Sequence, residues 1–182
     1  MMQSKRELRY RVRHELSRPS PERAAQAGAQ LCQTLLSDPR FRAAKTVLLY
    51  HALPDEVPTV PLIEAVAEQK CVLLPTVVGD DIVLHIYDKA MGTQTGAYGI
   101  EEAVGTLFPA SRYGEIDLAL IPGMAFTRQG VRLGRGKGYY DRLLSHAAFS
   151  DLYTIGVTYD YRIFDAIPTE PHDKCVRYVL AL

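Results

Sequence analysis

The sequence predicts an α/β fold, a layered domain with a mainly parallel sheet flanked by helices. Short apolar runs rich in Val, Ile and Leu alternate with helical segments, which is typical of parallel strands connected by helices. The chain has 182 residues, 47% hydrophobic and 23% charged, so it can bury a core of ordinary composition. Because no repeat or linker interrupts it, we interpret residues 1–182 as one domain.

Net charge predicts neither a nucleic-acid nor a membrane partner, because 21 basic residues balance 21 acidic ones. The balance is not local. Residues 1–45 hold ten Lys or Arg against four Asp or Glu, and residues 128–142 hold five against one. Such segments are often solvated surfaces, but two of them can also converge on one anionic ligand.

The cysteines predict neither a disulfide framework nor a zinc site, because Cys32, Cys71 and Cys175 are far apart and form no C-x-x-C pair. Cys71 and Cys175 open apolar runs, where a thiol acts as a small hydrophobic side chain. No apolar run reaches the ~18 residues of a membrane helix, and the N-terminal segment lacks the apolar region of a secretory signal. The expected setting is the cytoplasm, and the expected state is a monomer.

The first element is predicted to be a helix that begins at a capping box, Ser4 with Glu7 three residues later. An apolar stripe at helical spacing follows, formed by Leu8, Val12 and Leu16. Lys5 and Arg9 border this stripe and could therefore reach a cleft beneath the helix. The alternative is that both side chains only lie along the edge of the stripe with their charges in water.

The later elements follow from turn signals and apolar runs. Ser20 and Pro21 predict the start of a second helix, which ends at "SDPR". Strands are predicted at "TVLLY", "CVLLPTV", "IVLHIY", "IDLALIP", "LYTIGVTY" and "CVRYVLAL", and further helices at "PLIEAVAEQ" and "YYDRLLSHAAF". Residues 88–115 are predicted to form one long irregular loop.

Three loops that follow strand ends are candidates for the functional site. They are "HALPDEV", "GMAFTRQGVRLGRGKG" and "DYRIFDAIPTEPHD". Because ligands of open parallel sheets bind beyond the carboxyl ends of the strands, we expect all three loops to open on one edge.

The stretch "RLGRGKGYYDR" favours an anion-binding loop. Its glycines are Gly134, Gly136 and Gly138, and the cations between and before them are Arg132, Arg135 and Lys137. Glycines allow positive φ and let backbone N–H groups turn toward an anion, and the helix expected to begin near Tyr139 adds the positive end of its dipole. Neither a Walker A loop nor a dinucleotide fingerprint matches. A nucleotide polyphosphate is nevertheless the predicted ligand.

The residues after the glycines have more than one interpretation. Helical geometry places Tyr140 on the inner face with Leu144, which favours a core position, whereas Tyr139 is freer to stack on a flat ligand. Asp141 is predicted to bind magnesium beside the phosphates. Its alternatives are a first-turn partner of the helix dipole or an ion pair with a neighbouring arginine.

Together these segments resemble the 5-formyltetrahydrofolate cyclo-ligases, also called methenyltetrahydrofolate synthetases. The long "PGMAFTRQGVRLGRGKGYYDR" is similar to the family's glycine–tyrosine motif. "KRELR", "LPDEV", "YGIEE" and "EPHD" are similar to shorter motifs in the same order. The resemblance implies a fold of the sugar-isomerase and CoA-transferase type. It also implies conversion of 5-formyltetrahydrofolate, with or without a polyglutamate tail, to 5,10-methenyltetrahydrofolate with ATP and Mg²⁺.

The resemblance assigns roles position by position. The ATP-binding residues it implies are Lys5, Arg9, Arg132, Leu133, Gly134, Arg135, Gly136, Lys137, Gly138, Tyr139 and Tyr140. The folate-binding residues it implies are Leu53, Glu56, Tyr98, Gly99, Ile100, Tyr139 and Tyr140, so for Tyr140 it reverses the core interpretation. Lys137 and Arg135 would be the catalytic cations, and Asp141 and Asp173 would bind Mg²⁺.

Four positions depart from the family pattern. Thr76 stands where an arginine is common, which implies that one cation of the site is missing or replaced, and Ala103 stands in place of a proline; His51 and Pro58 also differ. Two other functions stay open at this point. One is a sugar-phosphate isomerase on the same fold, which needs a general base and no nucleotide, and the other is a non-catalytic module that binds a nucleotide or folate.

Overall fold

The structure, a computed structural model, describes residues 3–16, 18–96, 99 and 101–182. The helices are α1 (Lys5–His14), α2 (Pro21–Ser37), α3 (Pro39–Ala43), α4 (Val60–Val66) and α5 (Tyr139–Leu144). The strands are β1 (Thr46–Leu48), β2 (Cys71–Val78), β3 (Asp81–Ile86), β4 (Thr93–Thr95), β5 (Glu101–Ala103), β6 (Leu107–Phe108), β7 (Leu118–Pro122), β8 (Ala125–Phe126), β9 (Arg132–Leu133), β10 (Tyr153–Thr158) and β11 (Tyr178–Ala181). Short 3-10 helices cover Ala110–Glu115, Ala147–Phe149 and Asp160–Arg162.

The central sheet of the described chain has seven strands in the order β11-β10-β7-β1-β2-β3-β6. The pairs from β11 through β2 are parallel, while β3 and β6 continue the sheet in antiparallel fashion. β3 reverses direction because a tight turn with Gly79 at φ 61° joins it to β2, and that connection is too short for a parallel crossover. The predicted mainly parallel sheet with flanking helices is confirmed.

Both faces of the sheet are buried. Val47 and Leu49 at the centre face one core cluster with residues of α2 and α4, while Leu48 faces a second cluster on the opposite side. This alternation follows from the two-residue period of a strand. The second cluster includes Leu143 of α5 and Phe149 of the 3-10 helix that follows it. Helices therefore cover each face, as the apolar strand runs predict.

α1 lies over the hairpin of β8 and β9. Its capping box is present, because the Ser4 hydroxyl accepts from the Glu7 N–H and the Glu7 carboxylate accepts from the Ser4 N–H. Leu8 and Val12 are buried against a small cluster that contains Leu133 of β9. This packing places the basic edge of α1 above the glycine loop.

Two secondary-structure predictions are wrong. Residues 88–115 are not one irregular loop, since β4 pairs with β5 and β6 pairs with β3. Such two- and three-residue pairings are stabilised by distant neighbours and leave little periodic signal. The helix predicted through "YYDRLLSHAAF" ends at Leu144, where the Ser145 hydroxyl donates to the Asp141 carbonyl and His146 adopts an extended conformation.

The prediction for Cys175 is also wrong. This residue is exposed, and β11 begins only at Tyr178, so the thiol is not part of a buried strand. Cys71, at the start of β2, is half-buried and packs at the edge of the second core cluster, as predicted. Within the described part of the chain, no helix is long and apolar enough to span a membrane.

Candidate active site

The carboxyl ends of β1, β7 and β10 open on one cavity of about 1160 Å³. Most of its wall comes from residues 50–56 after β1, residues 122–142 after β7 and residues 168–173 after β10, with the N-terminal end of α1 across one side. The three loops predicted to share one sheet edge therefore do so. The parallel order β10-β7-β1 explains the arrangement, because it aligns the three carboxyl ends.

The glycine loop turns twice through backbone that favours glycine. Gly136 has φ 107° and Gly138 has φ 71°, and Gly138 precedes the first turn of α5. The expectation of positive φ fails for Gly134, where a side chain would instead require the Arg132 guanidinium to shift. A Cβ there would lie 2.9 Å from Nη1 of Arg132. Arg9 anchors the loop to α1, since its Nε donates to the Gly134 carbonyl at 2.8 Å.

Leu133 and Lys137 have contrasting positions in this loop. Leu133 is fully buried beneath α1 and packs with Leu8 and Val12, so its side chain supports the loop from the core side. Lys137 is exposed and lines the cavity. A flexible ammonium at this position can approach an anion held by the loop.

Arg132 and Asp141 form a buried ion pair. The Arg132 Nη2 lies 2.9 Å from Oδ1 of Asp141, and the same oxygen accepts from the Lys174 N–H at 3.1 Å. The guanidinium also lies 5.7 Å from the centre of the Tyr140 ring. The ion pair that the sequence left as one alternative for Asp141 is therefore present, and it braces the two ends of the loop against each other.

Lys5 reaches the third wall of the cavity. Its Nζ donates to Asp173 at 2.5 Å and to Glu170 at 2.7 Å. Burial lowers the pKa of Lys5, but hydrogen bonds and attraction from the two carboxylates outweigh it and raise the pKa above its usual value. Glu170, His172 and Asp173 place one potential ligand atom each within 4.8 Å of one another. Asp141 is not a member of this group.

The loop after β1 presents a buried carboxylate, Glu56, whose side chain is 8% exposed. Its Oε2 accepts from the Leu53 N–H at 3.0 Å, and its Oε1 accepts from Nη2 of Arg135 at 2.9 Å. Arg135 also donates to Oδ1 of Asp55 at 2.7 Å. Burial raises the pKa of Glu56, and the attraction of Arg135 opposes this effect without cancelling it.

Three tyrosines line the cavity between these loops. Tyr139 and Tyr140 are half-buried and also pack against the second core cluster, so both predicted positions of Tyr140, core and cavity, are partly realised. Burial, followed by the nearby Glu56, raises the pKa of Tyr140. The hydroxyl of Tyr50 is buried without a hydrogen-bond partner among the described residues. Burial and Glu56 also raise its pKa well above the usual value.

Sequence reasoning missed part of the cavity wall. Tyr50 lay hidden at the end of an apolar strand run, and the buried carboxylate of Glu102 was not singled out. Glu102 accepts from the Val77 N–H at 3.1 Å. The only signal for Tyr50 in the sequence is that a side chain with a polar hydroxyl stands at the carboxyl end of a predicted parallel strand. The neighbouring His51 also lines the cavity, and burial lowers its pKa, which favours the neutral imidazole.

Two residues that were expected at the folate site, Thr76 and Gly99, do not line the cavity in the described structure. Thr76 lies on the strand face opposite Pro75 and Val77, which line the cavity, and its hydroxyl is 3.0 Å from Nδ1 of His85. Thr76 therefore does not stand in place of a cation within the described wall. Gly99 has φ 71° and is exposed, and it is not among the described residues that line the cavity.

Other expected positions have a different status. Tyr98 and Ile100, which the resemblance assigned to folate binding, lie outside the described residues. Ala103, which replaces a proline of the motif, is buried in the first core cluster. Pro58 packs closely against Gly28 of α2. A Cβ added to Gly28 would lie only 3.3 Å from the Pro58 carbonyl oxygen.

Comparison with known proteins supports one family. The family model of 5-formyltetrahydrofolate cyclo-ligases matches residues 1–181. A 5-formyltetrahydrofolate cyclo-ligase of Mycolicibacterium smegmatis is 34% identical over 169 residues, 90% of this chain and 86% of its own length. The enzyme of that name from Mus musculus is 28% identical over 196 residues, 97% of this chain and 93% of its own length.

Solved structures agree. The NMR structure of the Aquifex aeolicus 5,10-methenyltetrahydrofolate synthetase superposes with a TM-score of 0.84 at 34% identity, covering 97% of this chain and 89% of the other. The structure of a 5,10-methenyltetrahydrofolate synthetase from Mycoplasma pneumoniae, at 23% identity and a TM-score of 0.71, shares the fold over 97% of this chain and 98% of its own. The resemblance drawn from the motifs is thus confirmed, and the chain belongs to the 5-formyltetrahydrofolate cyclo-ligase family of enzymes.

Proposed function

We propose that this enzyme cyclises 5-formyltetrahydrofolate to 5,10-methenyltetrahydrofolate, using ATP and Mg²⁺ and releasing ADP and phosphate. The observation that carries the proposal is the contact of two loops in one cavity. A glycine loop suited to a polyphosphate meets, through Arg135, a loop that presents the buried carboxylate of Glu56. Membership of the cyclo-ligase family and the names of the relatives give the substrate class.

The glycine loop would hold the phosphates of ATP. Gly136 and Gly138 have the positive φ values of a concave backbone whose N–H groups can converge on an anion. Lys5, Arg9 and Lys137 line the same end of the cavity and would supply full positive charges. Phosphoryl transfer depends mainly on positioning and charge neutralisation, which is what these groups can provide.

The pterin would bind at the other end of the cavity. Glu56 is buried in the cavity wall, and a carboxylate accepts hydrogen bonds from the N–H groups of a pterin ring. Leu53, Tyr139 and Tyr140 supply apolar and aromatic surface for a flat heterocycle. In this arrangement the formyl group of the substrate would lie between Glu56 and the glycine loop.

The donor set of the cavity fits Mg²⁺. Asp141 and Asp173 both line the cavity, and Glu170 adds a third carboxylate near Asp173. Hard cations prefer such oxygen ligands and share them with phosphates. Asp173 is paired with Lys5 and Asp141 with Arg132, so Mg²⁺ would share these carboxylates with the two side chains or displace them. When bound, Mg²⁺ would neutralise phosphate charge.

The proposed chemistry converts a poor leaving group into a good one. The formyl oxygen attacks the γ-phosphorus of ATP, an O–P bond forms, and the bond from that phosphorus to the β–γ bridging oxygen breaks to release ADP. N10 then attacks the formyl carbon of the iminium phosphate and loses its proton, while the C–O bond breaks and phosphate leaves. Arg135 and Lys137 would neutralise charge on the transferring group.

The direct test is turnover. Purified protein with ATP, Mg²⁺ and 5-formyltetrahydrofolate should develop the near-ultraviolet absorbance of the methenyl product, and omission of ATP or addition of EDTA should abolish it. Calorimetric titration with ATP provides the control. Binding of ATP or folate without turnover would support a non-catalytic module, and absence of ATP binding would favour an isomerase-like enzyme. Either result would contradict the proposal.

A further inference from the structure

The middle of the loop after β1 is held from below by two buried side chains that the proposed chemistry does not use. Tyr159 and Arg162 belong to the segment that follows β10, and they are 0% and 2% exposed. The Tyr159 hydroxyl donates to the Glu56 carbonyl at 3.1 Å. Nη1 of Arg162 donates to the Asp55 carbonyl at 2.7 Å. The consecutive carbonyls of Asp55 and Glu56 are thus bound by two residues of one turn, Tyr159 directly before the 3-10 helix Asp160–Arg162 and Arg162 at its end.

The ends of the same loop are held separately. The buried hydroxyl of Thr59 donates to the Tyr50 carbonyl and accepts from the Ala52 N–H at 3.2 Å. Thr59 therefore closes the loop at its base without contacting residues 55 or 56 in any bond described. The backbone that carries the Glu56 side chain is held at the Asp55 and Glu56 carbonyls by Arg162 and Tyr159, and at the Glu56 N–H by the Leu53 carbonyl at 2.9 Å.

The environment of Arg162 suggests positioning more than stability. Its guanidinium is buried 3.9 Å from Oδ2 of Asp55 and 5.6 Å from the ring centres of Tyr159 and Tyr161. Its Nε has no hydrogen-bond partner among the described residues. Desolvation of such a charge offsets much of its attraction to a partner, so a buried pair adds little net stability but does restrict geometry.

Tyr159 is suited to act as a donor. Burial, followed by the neighbouring Tyr161, raises its pKa to about 12, so the hydroxyl keeps its proton across the physiological pH range. The rings of Tyr159 and Tyr161 stack with centres 5.4 Å apart, which restrains the direction of the hydroxyl.

We propose that Arg162 and Tyr159 are positioning residues that orient Glu56 for the pterin ring of the folate substrate. The inference rests on the proposed function, because it takes Glu56 as a folate ligand. It goes beyond that function in assigning folate affinity to two residues that lie under the cavity and do not line it. We expect ATP affinity to depend on them much less, because neither residue contacts the glycine loop directly in any interaction described.

The test separates the two Michaelis constants. Arg162→Met removes the donor and the charge at similar length, and Tyr159→Phe removes only a hydroxyl. We expect KM for 5-formyltetrahydrofolate to rise about tenfold in Arg162→Met and about threefold in Tyr159→Phe, with KM for ATP within twofold of wild type. Arg162→Lys, which keeps one charged donor, should recover part of the loss.

Arg23→Met is the matched control. Arg23 lies 5.9 Å from the Tyr159 ring and donates to Asp160 and to the Leu182 carbonyl, but makes no described contact with the loop after β1. It should keep both Michaelis constants. Thermal melting checks folding, and if Arg162→Met does not fold, Tyr159→Phe decides.

Two results are kept distinct. If the wild-type protein is active and KM for the folate is unchanged in Tyr159→Phe and Arg162→Met, only the positioning role is overturned. The same conclusion follows if both Michaelis constants rise equally in these variants. Wild-type protein without turnover would overturn the proposed function.

Discussion

Arg135 of the glycine loop donates to Oε1 of Glu56 across 2.9 Å, so one guanidinium joins the predicted phosphate loop to the predicted folate loop. The same nitrogen lies 2.7 Å from Oδ1 of Asp55. Arg135 therefore neutralises a carboxylate that burial alone would tend to protonate. Arg135, which is predicted to be a catalytic cation, therefore also forms ion pairs with two carboxylates of the loop after β1.

Arg135→Gln should move the acidic limb of the pH profile. Loss of the cation removes an interaction that lowers the pKa of Glu56, so this pKa rises further and the ionised form is reached only at higher pH. Since the carboxylate accepts pterin N–H groups when ionised, the acidic limb of kcat/KM for the folate should shift to higher pH. The measurement is kcat/KM from pH 5 to 8.

Arg128→Gln is the control for this shift, because Arg128 is exposed and does not line the cavity. It should leave the limb in place. An acidic limb that stays put in Arg135→Gln, or moves to lower pH, would contradict the proposed coupling between Arg135 and Glu56.

Tyr50→Phe should separate affinity from stability. The Tyr50 hydroxyl is buried in the cavity wall without a described partner, so its removal should not lower the melting temperature. If the substrate supplies the missing partner, KM for 5-formyltetrahydrofolate should rise by about tenfold. Tyr153→Phe, in β10 and outside the cavity lining, serves as the control. A lower melting temperature with unchanged KM would show that Tyr50 has only a packing role.

Lys137→Ala should reduce turnover more than folate affinity. The exposed ammonium lines the cavity beside Gly136 and Gly138, and its charge should matter most as charge develops on the transferred phosphoryl group. We expect kcat to fall about 100-fold while KM for the folate changes less than threefold. Steady-state kinetics with both substrates varied give these values. Lys89→Ala, an exposed lysine outside the cavity, is the comparison, and equal losses in kcat and affinity would make Lys137 a simple binding residue.

Asp141→Asn and Asp173→Asn test the metal site. If both carboxylates bind Mg²⁺, each variant should raise the Mg²⁺ concentration for half-maximal velocity by about tenfold, because an amide is a weaker ligand than a carboxylate. Asp151→Asn, at an exposed ion pair with Arg177, should leave it unchanged. An unchanged Mg²⁺ requirement in Asp141→Asn would limit this residue to its ion pair with Arg132.

Local signals in the sequence were sufficient for much of the fold. The capping box at Ser4, the start of α2 at Ser20 and Pro21, and the apolar strand runs all depend on neighbours a few residues away, and the structure confirms them. The glycine loop was recognisable for the same reason. Prediction failed where distant neighbours decide, as in the short strands within residues 88–115 and the early end of α5.

Which segments form the glycine loop, the loop after β1 and the family motifs could be recognised from the residue pattern alone. How these segments pair is a property of the folded chain. Arg135 with Glu56, Lys5 with Asp173 and Arg162 with Asp55 are separated by 79, 168 and 107 residues along the chain. No local pattern encodes such contacts, because they arise only after the parallel order β10-β7-β1 brings the carboxyl ends of distant strands to one edge.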